Sequence, residues 1–158
     1  MLLFENQDFS FELDIVGYSS PTYEPQSVGV FWTANWLDIF ISVRHPQGSW
    51  TATEPCLLTF EVERLANWFE QIANNTDRKV RFYPTDPCLH FEILVNEVTI
   101  KTLRVYFELE VKPDWVLERG VNGNLWVEFS LDEINLLEAA NHIRELLKKY
   151  PQRAFRDS

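Results

Sequence analysis

The residue pattern predicts an α+β fold: a curved antiparallel β-sheet packed against two α-helices, with residues 28–53 free to form a second, smaller sheet. Three observations predict it. Several segments alternate apolar and polar residues with a period of two, as half-buried strands do. Two others space apolar residues three and four apart, as amphipathic helices do. Strands and helices do not alternate regularly along the chain, which argues against a doubly wound parallel sheet. The 158 residues contain no Gly/Ser-rich linker, internal repeat or heptad, so residues 1–158 are expected to form one domain.

The elements follow in order. Phe9, Phe11, Leu13 and Ile15 alternate with Ser10, Glu12 and Asp14, a strand with one acidic face. Val28 and Val30 suggest a second strand. Leu37, Ile39, Ile41 and Val43 make a third, and His45-Pro46-Gln47-Gly48 turns it towards a short return at Trp50 to Thr53. A helix then carries Val62, Leu65, Ala66, Phe69, Ile72 and Ala73 on one stripe, with Thr59 as its expected N-cap and Asn74-Asn75 as its end. Lys79 to Phe82 reads as a short extended piece. Leu89, Phe91, Ile93 and Val95 form a strand, and Leu103, Val105, Phe107, Leu109 and Val111 the longest one. Leu125 to Leu131 is the last. Ser130-Leu131-Asp132-Glu133 then opens the second helix as a capping box, with Asp132 as the other candidate cap. Lys148 and Lys149 suit its negative end, Pro151 stops it, and residues 152–158 are expected to form a loose tail.

Composition narrows the function. The chain carries 14 basic and 24 acidic residues, a net charge of -10. Residues 1–43 hold no Lys or Arg. Such a body repels a phosphate backbone and an anionic membrane, and attracts a basic protein. No nucleic-acid or membrane partner is therefore expected. Cys56 and Cys88 sit beside prolines among apolar residues and read by default as buried thiols, with a single disulfide as the alternative. The first residues lack the basic and apolar regions of a signal peptide, so a cytoplasmic location is expected.

The residues for common chemistries are missing. His45, His90 and His142 form no paired-ligand spacing, and the two cysteines lie too far apart in sequence for a zinc motif, so no metal is expected. No nucleophile elbow occurs, and the five glycines assemble no phosphate loop. No catalytic residue and no cofactor are assigned. What remains is a set of carboxylates and aromatics on the polar sides of the strands. Glu12, Asp14, Asp38, Glu92, Glu108, Glu110 and Glu128 share those sides with Phe40, Tyr106 and Trp126. Two such acids could hydrolyse a glycosidic bond if one were desolvated. The same mixture suits a protein interface, where Tyr and Trp supply area and carboxylates pair with Lys or Arg. A second packing layer covering the aromatics is the third reading.

The order of short motifs carries a family resemblance. Phe11-Glu12-Leu13-Asp14-Ile15-Val16-Gly17-Tyr18 is followed by Asn35-Trp36-Leu37 and Gly48-Ser49-Trp50. Then come Pro55-Cys56-Leu57-Leu58-Thr59, Leu65-Ala66-Asn67-Trp68-Phe69, Phe91-Glu92 and a capped final helix. The chain resembles, over nearly its whole length, the small bacterial immunity proteins grouped with WapI. The resemblance implies a non-catalytic cytosolic inhibitor that binds a cognate toxin. The acidic balance independently suits a basic partner, as a nuclease with a cationic groove would be. Asp38, Glu92, Tyr106, Glu108, Glu110, Trp126 and Glu128 are the expected partner-binding residues, chosen from the strand pattern. A small enzyme acting on a sugar or nucleotide derivative, and a protein that forms homo-oligomers through the sheet, are the alternatives.

Overall fold

The computed structural model describes residues 1–76 and 79–155. Four strands, β1 (Leu2–Glu5), β2 (Ser10–Tyr18), β3 (Trp36–His45) and β4 (Gly48–Leu58), form one antiparallel sheet in sequential order. A second sheet, also sequential, contains β5 (Arg81–Phe82), β6 (Leu89–Asn96), β7 (Lys101–Phe107) and β8 (Trp126–Leu131). Helix α1 (Val30–Thr33) is one turn, while α2 (Thr59–Ala73) separates the two sheets in sequence and α3 (Glu133–Lys149) follows the last strand. The α+β class holds. The single curved sheet with a smaller companion does not: the sheets have four strands each. Alternation specifies which residues face inward, not which strands pair. Helix α2 interrupts the strand succession, and each succession closes its own ladder.

The inner faces of both sheets meet in one core. The Phe11 ring lies 5.8 Å from Phe107 and 6.3 Å from Phe91, and Phe4 lies 5.5 Å from Phe129. Helix α2 inserts Phe69 between the sheets, 5.9 Å from Phe4 and 6.0 Å from Phe91. Burying each such side chain stabilises the fold by roughly 1.5–3 kcal/mol. The two long helices pack together, with Arg144 of α3 donating to Glu70 of α2 at 2.8 Å.

Both helix starts follow local chemistry. The cap of α2 is Leu58 rather than Thr59, and the buried Glu61 carboxylate accepts the Leu58 N–H at 3.0 Å and the Thr85 N–H at 2.7 Å. That satisfies an otherwise orphaned donor and fastens the following loop. Asp132, not Ser130, caps α3 by accepting the Asn135 N–H at 2.8 Å.

Four local expectations are corrected. Val28–Gly29 lies in a turn leading into α1, with Gly29 at φ +77°, so residues 28–30 are not a strand. β4 is long, at 11 residues, because it tolerates Pro55 as an edge strand. β7 stops at Phe107; Leu109–Val111 is a 3-10 turn and Leu109 adopts φ +54°. Cys56 and Cys88 form a disulfide across 32 residues, joining the end of β4 to the entry of β6.

The expected tail is tied down at Arg153, while Phe155 is exposed and residues 156–158 lie outside the described residues. The Arg153 guanidinium donates to Ser20 and Ala34 carbonyls and lies 3.6 Å from the Tyr18 ring centroid. Fully buried Asn35 accepts the Arg153 N–H at 2.8 Å and the Thr59 hydroxyl at 2.9 Å, and donates to the Phe31 and Arg153 carbonyls. Asn35→Ala is expected to lower stability by about 1–3 kcal/mol, since it strands these buried groups. Urea unfolding reads the loss, and faster tryptic cleavage after Arg153 reads the freed tail.

A candidate protein-binding face

The outer face of the second sheet collects polar side chains from four strands. Two cross-strand rows organise it. Arg81 opposes Glu92, Glu92 opposes Arg104, and Arg104 opposes Glu128, so charge alternates across the sheet. Beside it, His90 opposes Tyr106 and Tyr106 opposes Trp126. Period-two alternation puts these residues outward while Phe91, Val105 and Val127 enter the core.

The charged row is closed upon itself. Arg81 Nε donates to Glu92 at 2.7 Å, and Arg104 donates to Glu128 at 3.0 Å. The Tyr106 hydroxyl donates to Glu92 at 2.8 Å. Burial raises the Glu92 carboxyl, but the hydrogen bonds from Tyr106 and Arg81, with the charges of Arg81 and Arg104, outweigh it and hold it below its ordinary value of 4.5. A depressed carboxyl stabilises the fold above its ordinary value, and that contribution disappears as pH falls through the lower, folded value. Tyr106→Phe removes one of those bonds. The Glu92 carboxyl is then expected to titrate at higher pH, measurable by carbon-13 NMR of its side chain.

The aromatic row is stacked. The His90 and Tyr106 rings lie 4.5 Å apart and only 8° from parallel, and Tyr83 extends the stack at 4.7 Å. The Arg104 guanidinium covers Trp126, 3.8 Å from its ring centroid. A shallow cavity of about 250 Å³ opens here, lined by Arg81, Tyr83, His90, Glu92 and Tyr106. Preorganised rings with part-exposed faces can bury partner surface at low entropic cost.

The structure distributes the expected binding residues unequally. Glu92, Tyr106, Trp126 and Glu128 come together on this face. Asp38 lies on β3 of the other sheet and accepts the Ser19 hydroxyl at 2.6 Å. Glu110 sits in the 3-10 turn. Glu108 is fully buried, so it is corrected from a surface contact to an interior anchor. It accepts the Gly123 N–H at 3.0 Å, contacts His90 Nε2 at 3.2 Å and lies 3.7 Å from the buried Lys112 ammonium. The strand pattern continued through Leu109 and Val111 and hid the turn that draws Glu108 inward. Arg81, Arg104 and His90 join this face too; alternation gives His90 the parity of Glu92 and Arg104 that of Tyr106, but which residues they oppose depends on the register.

Chemistry at this face is disfavoured on its own terms. A general acid needs a raised carboxyl, whereas the Glu92 carboxyl is lowered. Asp86, in the Pro84–Pro87 turn, is raised on balance, by burial above all, and accepts the Cys88 N–H at 3.1 Å. Among the described residues, no group of three or more His, Cys, Asp or Glu could hold a metal ion, and no helix is long and apolar enough to cross a membrane.

In comparison with known proteins, the model of the immunity protein WapI-like family matches residues 1–151. No curated protein matches the chain.

Proposed function

The chain belongs to the immunity protein WapI-like family, and from that premise we propose that it binds a cognate, basic toxin domain and blocks its active surface without turning anything over. The observation that carries this reading is the outer face of the second sheet, where a stacked aromatic row lies beside a self-paired charge row. Tyr106 and Trp126 would supply the buried area. Glu92 and Glu128 would exchange Arg81 and Arg104 for the partner's Lys or Arg. The net charge of -10 would speed encounter with a cationic domain. Asp38 and the acidic side of the first sheet would add to that long-range attraction rather than to the contact. A cytoplasmic location belongs to the same reading.

The test is capture. Tagged protein is co-expressed with the product of the adjacent large gene, and the retained material is identified by mass spectrometry. A single stoichiometric basic partner, whose toxicity falls on binding, is expected. Recovery of the protein alone, with the neighbouring product soluble and abundant, would refute the pairing.

A further inference from the structure

The carboxylates of the charge row on the second sheet are already paired within the protein, whereas a second set of acids, beside the first sheet, makes no ion pair among the described residues. The first sheet ends at β4, and a cleft of about 480 Å³ runs beside that strand, between it and the segment that follows the 3-10 turn. Trp50 and Trp115 form its aromatic part, their rings 5.6 Å apart, and Glu54, Glu110 and Asp114 its charged part. Lys112 also lines the cleft, but its ammonium is turned away, donating to the Glu118 and Gly120 carbonyls at 3.0 and 2.7 Å. The cleft therefore presents acids without a competing cation.

The backbone of β4 is open on the same side. The β3–β4 hairpin closes through Pro46-Gln47 on the His45/Gly48 pair. In a two-residue hairpin the closing pair is hydrogen-bonded and bonded pairs then alternate. Gly48, Trp50, Ala52 and Glu54 therefore bond β3, while Ser49, Thr51 and Thr53 direct N–H and C=O groups outward. Those three residues are exposed, and among the described residues no backbone hydrogen bond from outside the sheet reaches them.

We propose that this edge receives an extended, Lys/Arg-containing segment of the partner protein as a fifth strand of the first sheet. The added strand would sit about 4.8 Å from β4 and bond the three free residues. Alternate side chains would reach Glu54, Glu110 and Asp114 or lie against Trp115. Charge complementarity selects this occupant: an acidic or apolar strand would bury the three carboxylates unpaired. The inference rests on the reading of the protein as a binder of a basic protein, and it assigns that partner a second contact.

Hydrogen exchange of the intact protein tests it, alone, with the captured partner, and with the probe peptide acetyl-Lys-Val-Lys-Val-Lys-Val-Lys-amide. Expected are at least tenfold slower exchange at Ser49, Thr51 and Thr53 in the complex and at saturating peptide. Peptide binding should weaken at least tenfold in Glu54→Gln/Glu110→Gln/Asp114→Asn, whose side chains keep their shape. A peptide N-methylated at alternate residues, on its bonding edge, should not bind. Unchanged exchange in a complex that does form overturns the inference and leaves the immunity reading standing. Failed capture together with peptide-induced protection does the reverse. Protection already present in the free protein, with dimers in sedimentation, would assign the edge to a second copy and overturn the proposal.

Discussion

Replacing Glu108 by Ala is expected to destabilise the protein by about 3–5 kcal/mol, among the largest losses any single substitution here should produce. The carboxylate is fully buried at the end of β7 and gathers three elements. It takes the Gly123 N–H at 3.0 Å and the Asn122 N–H at 3.3 Å from the loop above it. From β6 it takes the His90 contact, and it neutralises Lys112, itself only 3% exposed. Alanine would leave a buried ammonium without its carboxylate and release two loop N–H groups, those of the exposed Asn122 and the half-buried Gly123. Lys112 keeps its carbonyl acceptors, which places the loss at the lower end of the range. Glu108→Ala/Lys112→Met removes both charges and should lose less than the two single losses summed. Urea unfolding of the four proteins measures the coupling. Additive losses would show that the pair does not act as a unit.

That residue also shows where sequence reading stopped. Strand positions and their inward faces were legible because burial imposes a period of two, and Phe11, Val105, Phe107 and Val127 all point into the core as expected. The stripe of α2 was legible for the same reason, with Leu65, Ala66, Phe69 and Ile72 buried. Pairing was not legible. Nothing local to Phe9–Ile15 or Leu103–Phe107 says that each belongs to a different sheet, because hairpin connections serve either arrangement. Glu108 and Glu110 carried the right parity for a strand face, yet Leu109 turns the chain at φ +54°. The candidate face was half legible. Glu92, Tyr106, Trp126 and Glu128 follow from alternation alone, but their pairing with Arg81 and Arg104 depends on register, a long-range property. Arg153 was the least legible. Its anchors, Ser20 and Ala34, lie at the other end of the chain.

Register is also what gives Trp126 its expected weight in binding. Trp126→Ala is predicted to weaken the complex with the captured partner by at least about 2 kcal/mol, roughly thirtyfold in Kd, chiefly through faster dissociation. The indole lies at the end of the aromatic row and carries the Arg104 guanidinium on its face, 3.8 Å from the ring centroid. Arg104 in turn bonds Glu128, so the ring is held in place before any partner arrives. Truncation would remove both the apolar area and the support of that arginine. Tyr106→Phe separates the contributions, keeping the stacked ring against His90 and losing only the hydroxyl bond to Glu92; a much smaller loss is expected. Ile134→Ser, on the exposed side of α3, serves as the surface control and should leave affinity unchanged. Surface plasmon resonance of the folded variants reads all three. Wild-type dissociation from the Trp126 variant, with its fold verified by circular dichroism, would remove the second sheet from the interface and leave the β4 edge as the contact to pursue.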